Sequence, residues 1–193
     1  MLAFLQEFDL ALFKAINGWH SLWADELMYW VSNKYVWIPA YALLLFFIYR
    51  KFGPRKTLYV LLSVGVLILL SDRTTSGLLK PWIERFRPCR PEAGLGDWVH
   101  LVNNKCGGKY GFVSSHAANF FAMATFFSLL FKQKRLTLLF MGIALLTAYS
   151  RVYLGVHYPG DVIAGALVGV GFGLLIWWGG ERVSERVGAG NST

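Results

Sequence analysis

Three short polar stretches interrupt an otherwise apolar chain of 193 residues. Between them they hold three cations, two imidazoles, two hydroxyls and a carboxylate: Lys80, Arg87, Ser114, Ser115, His116, Arg151, His157 and Asp161. Burying so many polar groups beside hydrocarbon is costly, and ionisable residues in membrane segments usually mark a functional site. We therefore take these eight residues as the candidate site.

The three cations indicate an anion as the ligand. Lys80, Arg87 and Arg151 each need a negative partner if they lie close to the membrane. The planar fork of arginine matches two oxygens of a phosphate at once, and lysine adds a mobile point charge. A phosphate group is thus the predicted ligand.

Two predicted helix starts strengthen that prediction. Ser114 is placed to cap one helix, with His116 in its first turn. Pro159 suits the first position of a later helix, with Asp161 just inside it. Free N–H groups and the positive dipole end make each helix start a favourable place for an anion.

The two histidines supply the reactive groups. Asp161 follows His157 at a spacing that lets the carboxylate reach the ring, which would fix its tautomer. Such a histidine can attack phosphorus and form a covalent intermediate, while His116 protonates the leaving oxygen and then activates water. The chain has no HExxH pattern and no closely spaced Cys and His ligands, so we expect neither a metal nor another cofactor.

The spacing of these residues resembles that of the type-2 phosphatidic acid phosphatase superfamily, membrane enzymes related to vanadium haloperoxidases. The family pattern is K-x6-R-P, then P-S-G-H, then S-R-x5-H-x3-D. Here it reads Lys80 to Arg87-Pro88, then Ser114-Ser115-His116, then Ser150-Arg151 through His157 to Asp161. Two positions depart from it, because Val113 replaces the usual proline and Ser115 the usual glycine.

The resemblance implies a role for each matching residue. His157 is the nucleophile, Asp161 its partner and His116 the acid, and the phosphate ligands are Lys80, Arg87, Ser114, Ser115 and Arg151. The implied substrates are lipid phosphates and diphosphates: phosphatidic acid, phosphatidylglycerol phosphate, lipid A and undecaprenyl diphosphate, the last being favoured. A transporter or flippase that binds anionic lipids without cleaving them is the alternative. A haloperoxidase is the third hypothesis, and the apolar runs of the chain argue against it.

The composition predicts the membrane setting. Hydrophobic residues make up 55% of the chain and charged residues only 16%, well below the quarter typical of soluble domains. We predict one all-α domain over 1–193, a polytopic bundle of five to six transmembrane helices. Residues 1–20 form an amphipathic interfacial helix, and 81–112 form an outer active-site loop. The predicted spans are 26–49, 57–79, 115–131, 136–149 and 161–178.

The charge pattern predicts the orientation. The net charge is +8, but the cations cluster between apolar runs instead of covering a solvated face, which argues against nucleic-acid binding. Basic clusters at 50–56 and 132–135 mark cytoplasmic loops. Alternation of the spans then places the candidate site on the periplasmic side of a bacterial inner membrane. The preferred lipid and the oligomeric state stay open.

Two further features concern packing. Gly165, Gly169 and Gly173 recur every four residues, which predicts a face for close contact with another helix. The chain's two cysteines, Cys89 and Cys106, both fall in the outer loop, where an oxidising compartment favours a disulfide over two free thiols.

Overall fold

The computed structural model describes residues 2–189 and the side chains of 4–96 and 98–180, and within this part of the chain the fold is all-α, as the sequence predicts. Seven α-helices follow in order: α1 Leu2–Gly18, α2 Leu22–Ser32, α3 Ile38–Asp72, α4 Lys80–Ile83, α5 Ser115–Phe131, α6 Lys134–Tyr153 and α7 Pro159–Ala189. A 3-10 turn at Lys34–Trp37 precedes α3, and a π-helical segment at Arg73–Leu79 joins α3 to α4.

Helix α3 is a hairpin of two antiparallel arms. Gly53 has a φ of 78°, a left-handed conformation that suits glycine, and Pro54 starts the second arm. The first arm runs from Trp37, which packs on Phe120 near the start of α5, to Phe52, which packs on Phe131 at its end. The second arm returns, so that the segment after it contacts the first residue of α5.

Helices α5 and α7 lie side by side in the same direction and form the centre of the bundle. A Cβ added to Gly169 would lie 2.2 Å from the carbonyl oxygen of Ala118, and one added to Gly165 would lie 2.5 Å from that of Ser114. Gly173 approaches α5 in the same way one turn later. The glycine row is the close packing face that the sequence predicts.

The apolar surface of the bundle fits a lipid environment. Three segments of the described chain are long and apolar enough to cross a membrane, namely Lys34–Ile83, Lys134–Tyr153 and Pro159–Gly180, and the shorter apolar helix Ser115–Phe131 lies among them. Large apolar side chains such as Leu62 and Leu167 are 63% and 70% exposed on its outside. A lipid tail can cover such residues where water cannot.

The first predicted span, 26–49, is wrong in its bounds. Helix α2 ends at Ser32, and the next helical run begins only at Lys34. The Asn33 side chain accepts a hydrogen bond from the backbone N–H of Tyr35 and starts the new turn. The apolar pattern continues across this break, which is why it predicted a single helix there.

Helices α1 and α2 pack against the end of the bundle where α5 and α7 begin. Phe13 of α1 is fully buried, against Trp98 of the long loop and Tyr158 just before α7. Asn17 donates from its amide nitrogen to the carbonyl oxygens of His100 and Tyr153, at 2.8 and 2.7 Å. The amino-terminal helix is therefore fixed over the same end of the bundle as the candidate site.

Candidate active site

The starts of α5 and α7 meet at the candidate site. The backbone N–H of Ser114 donates to the carbonyl oxygen of Asp161 at 2.9 Å. Ser114 also caps α5, since its hydroxyl accepts from the N–H of Ala117 at 3.5 Å. His116 stands in the first turn of α5 and is half-buried. Two helix amino termini thus face one region, as the sequence indicates.

The imidazole of His157 lies between an arginine and a carboxylate. Its Nε2 is 3.0 Å from Nη1 of Arg87, and its Nδ1 is 3.4 Å from Oδ2 of Asp161. His157 is 2% exposed and Asp161 is fully buried. Burial lowers the pKa of His157 well below its usual value, and the nearby cations Arg87, Arg151 and Lys80 lower it further. The ring is accordingly neutral at physiological pH.

The arginines Arg87 and Arg151 carry unused hydrogen-bonding capacity. Arg87 is 7% exposed and donates to the carbonyl oxygen of Val156 at 3.1 Å, and burial lowers its guanidinium pKa. Arg151 donates from Nη1 to the hydroxyl of Ser32. In the part of the chain that the structure describes, Nε of each arginine is buried without a partner. An anion would satisfy both nitrogens.

Lys80 is held by a cluster of hydroxyls. Its Nζ donates to the hydroxyl of Ser115 at 2.6 Å and to that of Ser76 at 3.3 Å. The Ser115 hydroxyl also lies 2.9 Å from those of Thr75 and Ser76, which belong to the π-helical segment before α4. Short π-helical segments are often found at functional sites. Ser115 thus brings a hydroxyl contact for Lys80 where the family pattern has glycine.

A further arginine of the loop, Arg85, contacts the carboxylate that faces His157. Its Nη1 donates to Oδ1 of Asp161 at 2.8 Å, and its Nη2 donates to Oδ2 of Asp9 at 2.5 Å. Burial alone would lower the pKa of Arg85, but the carboxylates of Asp161 and Asp9 outweigh it and raise the pKa. The motif spacing did not point to either Arg85 or Asp9.

The two ends of the long loop pair with each other, and this pairing fixes the backbone that carries Arg85 and Arg87. The N–H of Gly111 donates to the carbonyl oxygen of Arg85 at 2.8 Å, beside a short antiparallel bridge between Phe86 and Tyr110. Cys89 and Cys106 form a disulfide further along the same pair of chain segments, with a sulfur–sulfur distance of 2.01 Å. The loop therefore presents Arg85 and Arg87 from a backbone that is tied at its base.

The structure brings all eight candidate residues to one end of the bundle. Lys80 and Arg87 come from the chain after α3, Ser114 to His116 from the start of α5, Arg151 from the end of α6, and His157 and Asp161 from the entry to α7. Such a set of phosphate-matching donors beside an oriented neutral imidazole can bind a phosphoryl group and attack it.

Comparison with known proteins gives the same family. The model of the PAP2 superfamily matches residues 56–184 of the chain. A lipid A 4′-phosphatase from Bacteroides thetaiotaomicron is 35% identical over 97% of this chain and 83% of its own length. An undecaprenyl-diphosphatase from Sulfolobus acidocaldarius is 34% identical over 84% of this chain and 73% of its own.

The fold is similar to that of solved membrane enzymes. The PAP2-type phosphatidylglycerolphosphate phosphatase from Bacillus subtilis superimposes with a TM-score of 0.68, at 26% identity, over 93% of this chain and 87% of its own. The Bacteroides relative and the Bacillus structure match 97% and 93% of the chain, so the similarity reaches well beyond the three motif blocks. The protein belongs to the PAP2 superfamily and is a membrane lipid phosphatase.

Proposed function

We propose that the protein cleaves a lipid phosphate ester through a phosphoryl intermediate on His157. The observation that carries this proposal is the pair of contacts on the ring, Arg87 at Nε2 and Asp161 at Nδ1. Since arginine only donates hydrogen bonds, Nε2 of His157 is the acceptor and the ring proton resides on Nδ1. This tautomer presents the nucleophilic lone pair toward the cationic side of the site.

In the first step, Arg87 shifts its hydrogen bond from Nε2 of His157 to an oxygen of the bound phosphoryl group, and the freed lone pair of Nε2 attacks phosphorus while the bond from phosphorus to the lipid oxygen breaks. His116 gives its proton to that oxygen, and the free lipid alcohol (or lipid monophosphate) leaves. Lys80, Arg87, Arg151 and the helix start at Ser114 and Ser115 stabilise the charge on the phosphoryl oxygens. Asp161 stabilises the imidazole as it becomes positive.

In the second step, water attacks the phosphoryl group from the side that the lipid has left. His116 now accepts a proton from that water, the bond from Nε2 of His157 to phosphorus breaks, and inorganic phosphate leaves. Both histidines return to their starting protonation states, and the cycle consumes only the lipid phosphate and water. Attack and departure occur in line, which suits a site where donors surround the phosphoryl oxygens.

For the substrate we propose a phosphorylated glycolipid of the lipid A 4′-phosphate class. Two relatives with that activity, from Bacteroides thetaiotaomicron and Porphyromonas gingivalis, are 35% and 33% identical over 97% and 90% of this chain. Undecaprenyl diphosphate, which the sequence analysis favoured, is the second candidate, supported by the relative that covers 84% of the chain. A panel of purified lipid phosphates separates the two.

We also propose that the site faces the periplasm across a bacterial inner membrane. The basic residues of the α3 turn and of the α5–α6 turn lie at the opposite end of the bundle, where Lys51 contacts Phe131 and Lys132 contacts Trp177. Basic residues of short loops are retained in the cytoplasm. Lys109→Cys and Gln133→Cys, each in a variant with Cys89 and Cys106 changed to serine, test this. An impermeant maleimide should label position 109 in spheroplasts and position 133 only after lysis.

The activity is tested with protein purified in detergent, EDTA present, beside His157→Ala. Wild type should release phosphate from the 4′-phosphorylated glycolipid faster than from undecaprenyl diphosphate, and the variant should release none. Equal activity in the two proteins would contradict the role of His157. Lipid binding without phosphate release would favour the transporter alternative.

A further inference from the structure

A chain of charges links the nucleophile's carboxylate to the amino-terminal helix. Arg85 bridges Asp161, whose side chain is fully buried, and Asp9 of α1, whose side chain is 13% exposed. The other oxygen of Asp9 accepts from the backbone N–H of Gly160 at 2.6 Å. Gly160 is the second residue of α7, the helix that carries Asp161 in its first turn. Asp9 therefore contacts both Arg85 and the helix that holds the catalytic carboxylate.

The contacts of Arg85 leave it little capacity to bind a phosphate. Each of its terminal nitrogens donates to a different carboxylate, and its guanidinium lies 4.1 Å from the ring centre of Tyr158. Moving Arg85 toward a substrate would break its contact with Asp161. Arg87, two residues later, has a different contact. Its Nη1 lies at hydrogen-bonding distance from His157, the proposed nucleophile.

Asp161 depends on these contacts to act on His157. A fully buried carboxylate stays ionised only when charged or hydrogen-bonding partners surround it. Arg85 supplies the charge, and the N–H of Tyr158 donates to Oδ2 at 3.0 Å. With Oδ1 held by Arg85, Oδ2 is left facing Nδ1 of His157.

Asp9 also requires a close approach to α7. A Cβ added to Gly160 would lie 3.0 Å from Oδ2 of Asp9, so glycine at this position leaves room for the carboxylate. The series of contacts from Asp161 through Arg85 to Asp9 therefore involves α1, the loop and α7. The second aspartate fixes the far side of the guanidinium, which limits the rotation of Arg85 away from Asp161.

We propose that Arg85 and Asp9 are positioning residues for catalysis: Arg85 keeps Asp161 oriented toward His157, and Asp9 holds Arg85 in place. This inference rests on the proposed role of His157 and deepens it, because it makes helix α1 part of the catalytic apparatus. Loss of either residue should slow the chemical step and leave phosphate binding, which uses other side chains, nearly unchanged.

The test compares Arg85→Gln, Arg85→Lys and Asp9→Asn with wild type in the full-length protein. Glu7→Gln is the matched control, since it removes one negative charge from an exposed position of the same helix. For Arg85→Gln we expect kcat to fall about 10- to 100-fold, the loss typical of an outer-shell partner, with KM nearly constant. Arg85→Lys should recover part of the lost kcat, and Glu7→Gln should behave as wild type.

The double variant Asp9→Asn with Arg85→Gln tests the coupling. If Asp9 acts through Arg85, the double variant should be no slower than Arg85→Gln alone. Melting temperatures in detergent distinguish a specific loss of kcat from a loss of folding. If Arg85→Gln does not fold, the kcat values of Asp9→Asn and Arg85→Lys test the positioning role instead. Wild-type kcat in these variants, with His157→Ala inactive, would overturn this inference alone. Full activity of His157→Ala would overturn the proposed mechanism and this inference with it.

Discussion

Nη1 of Arg87 lies 3.0 Å from Nε2 of His157, so that a proposed phosphate ligand hydrogen-bonds the proposed nucleophile directly. The contact is possible because the ring is neutral and Nε2 carries its lone pair. It keeps the imidazole oriented while a neighbouring cation lowers its pKa. In the proposed mechanism, the same guanidinium passes this hydrogen bond to the phosphoryl group that the ring attacks.

This contact predicts how His157 titrates. Burial and the cations around the ring disfavour the imidazolium form, so the pKa of His157 lies well below its usual value of about 6.5. With 15N-labelled histidine, NMR should show the ring neutral and protonated at Nδ1 at pH 6. Arg87→Gln should raise the pKa, because it removes a positive charge.

The same shift has a consequence for stability. The unfolded chain takes up a proton on this histidine near pH 6.5, whereas the folded protein does not, so His157 favours unfolding as the pH falls below that value. A wild-type ring that titrates near 6.5, with no change in Arg87→Gln, would contradict the assigned environment.

Ser115 predicts a difference between two substitutions. Its hydroxyl accepts from Nζ of Lys80 at 2.6 Å, and Ser115→Ala removes that acceptor. Losing a hydrogen bond to a charged group should cost about 1.5–3 kcal/mol, which corresponds to about a 10- to 150-fold increase in KM. Ser115→Thr keeps a hydroxyl and should stay close to wild type. Steady-state kinetics check this, and an unchanged KM in Ser115→Ala would show that Lys80 does not need the contact.

The glycine row of α7 gives a matched pair of stability variants. A Cβ at Gly169 would meet the carbonyl oxygen of Ala118 at 2.2 Å, whereas one at Gly171 would have open space for 4 Å. Gly169→Ala should destabilise the bundle by about 1–3 kcal/mol, the range of overpacking. Gly171→Ala should be neutral or slightly stabilising, because alanine favours a helix. Thermal melting in detergent measures both, and equal melting temperatures would contradict the close packing of α5 and α7.

The disulfide predicts a response to reducing agent. The bond between Cys89 and Cys106 closes a loop across a sequence separation of 17 residues, which should contribute about 3 kcal/mol in the chain-entropy model. Reductant should lower the melting temperature of wild type and increase protease cleavage in the loop. The double variant Cys89→Ser with Cys106→Ser should start at the lower temperature and show no further change. Wild type that is insensitive to reductant would show that the bond does not stabilise the loop.

The sequence predicts the site better than it predicts what surrounds the site. Lys80, Arg87, His157 and Asp161 could be placed because their spacing is fixed within single stretches of chain. Asp9 could not, because its link to Asp161 runs through Arg85 and joins segments that are far apart in the sequence. Arg85 did leave a signal, since it stands two residues before Arg87 in an extended segment, but residue type alone does not separate a phosphate ligand from a carboxylate partner.

The helix pattern shows the same limit. Apolar periodicity identifies the membrane segments but does not detect the break between Ser32 and Lys34, where a single asparagine side chain starts a new turn. It also does not detect the π-helical segment that brings Thr75 and Ser76 to Ser115. The first feature depends on a local side-chain hydrogen bond and the second on contacts between distant parts of the chain, and a hydrophobicity pattern is insensitive to both.

Direct detection of the covalent intermediate is the most direct test of the central claim. His116→Asn should slow hydrolysis of the phosphoryl-enzyme more than its formation when the substrate has a good leaving group, so that the intermediate accumulates. Mass spectrometry after a rapid alkaline quench should then find one phosphoryl group on His157, and none when His157→Ala is added. A quenched enzyme that turns over substrate but carries phosphate nowhere, or on another residue, would contradict the account.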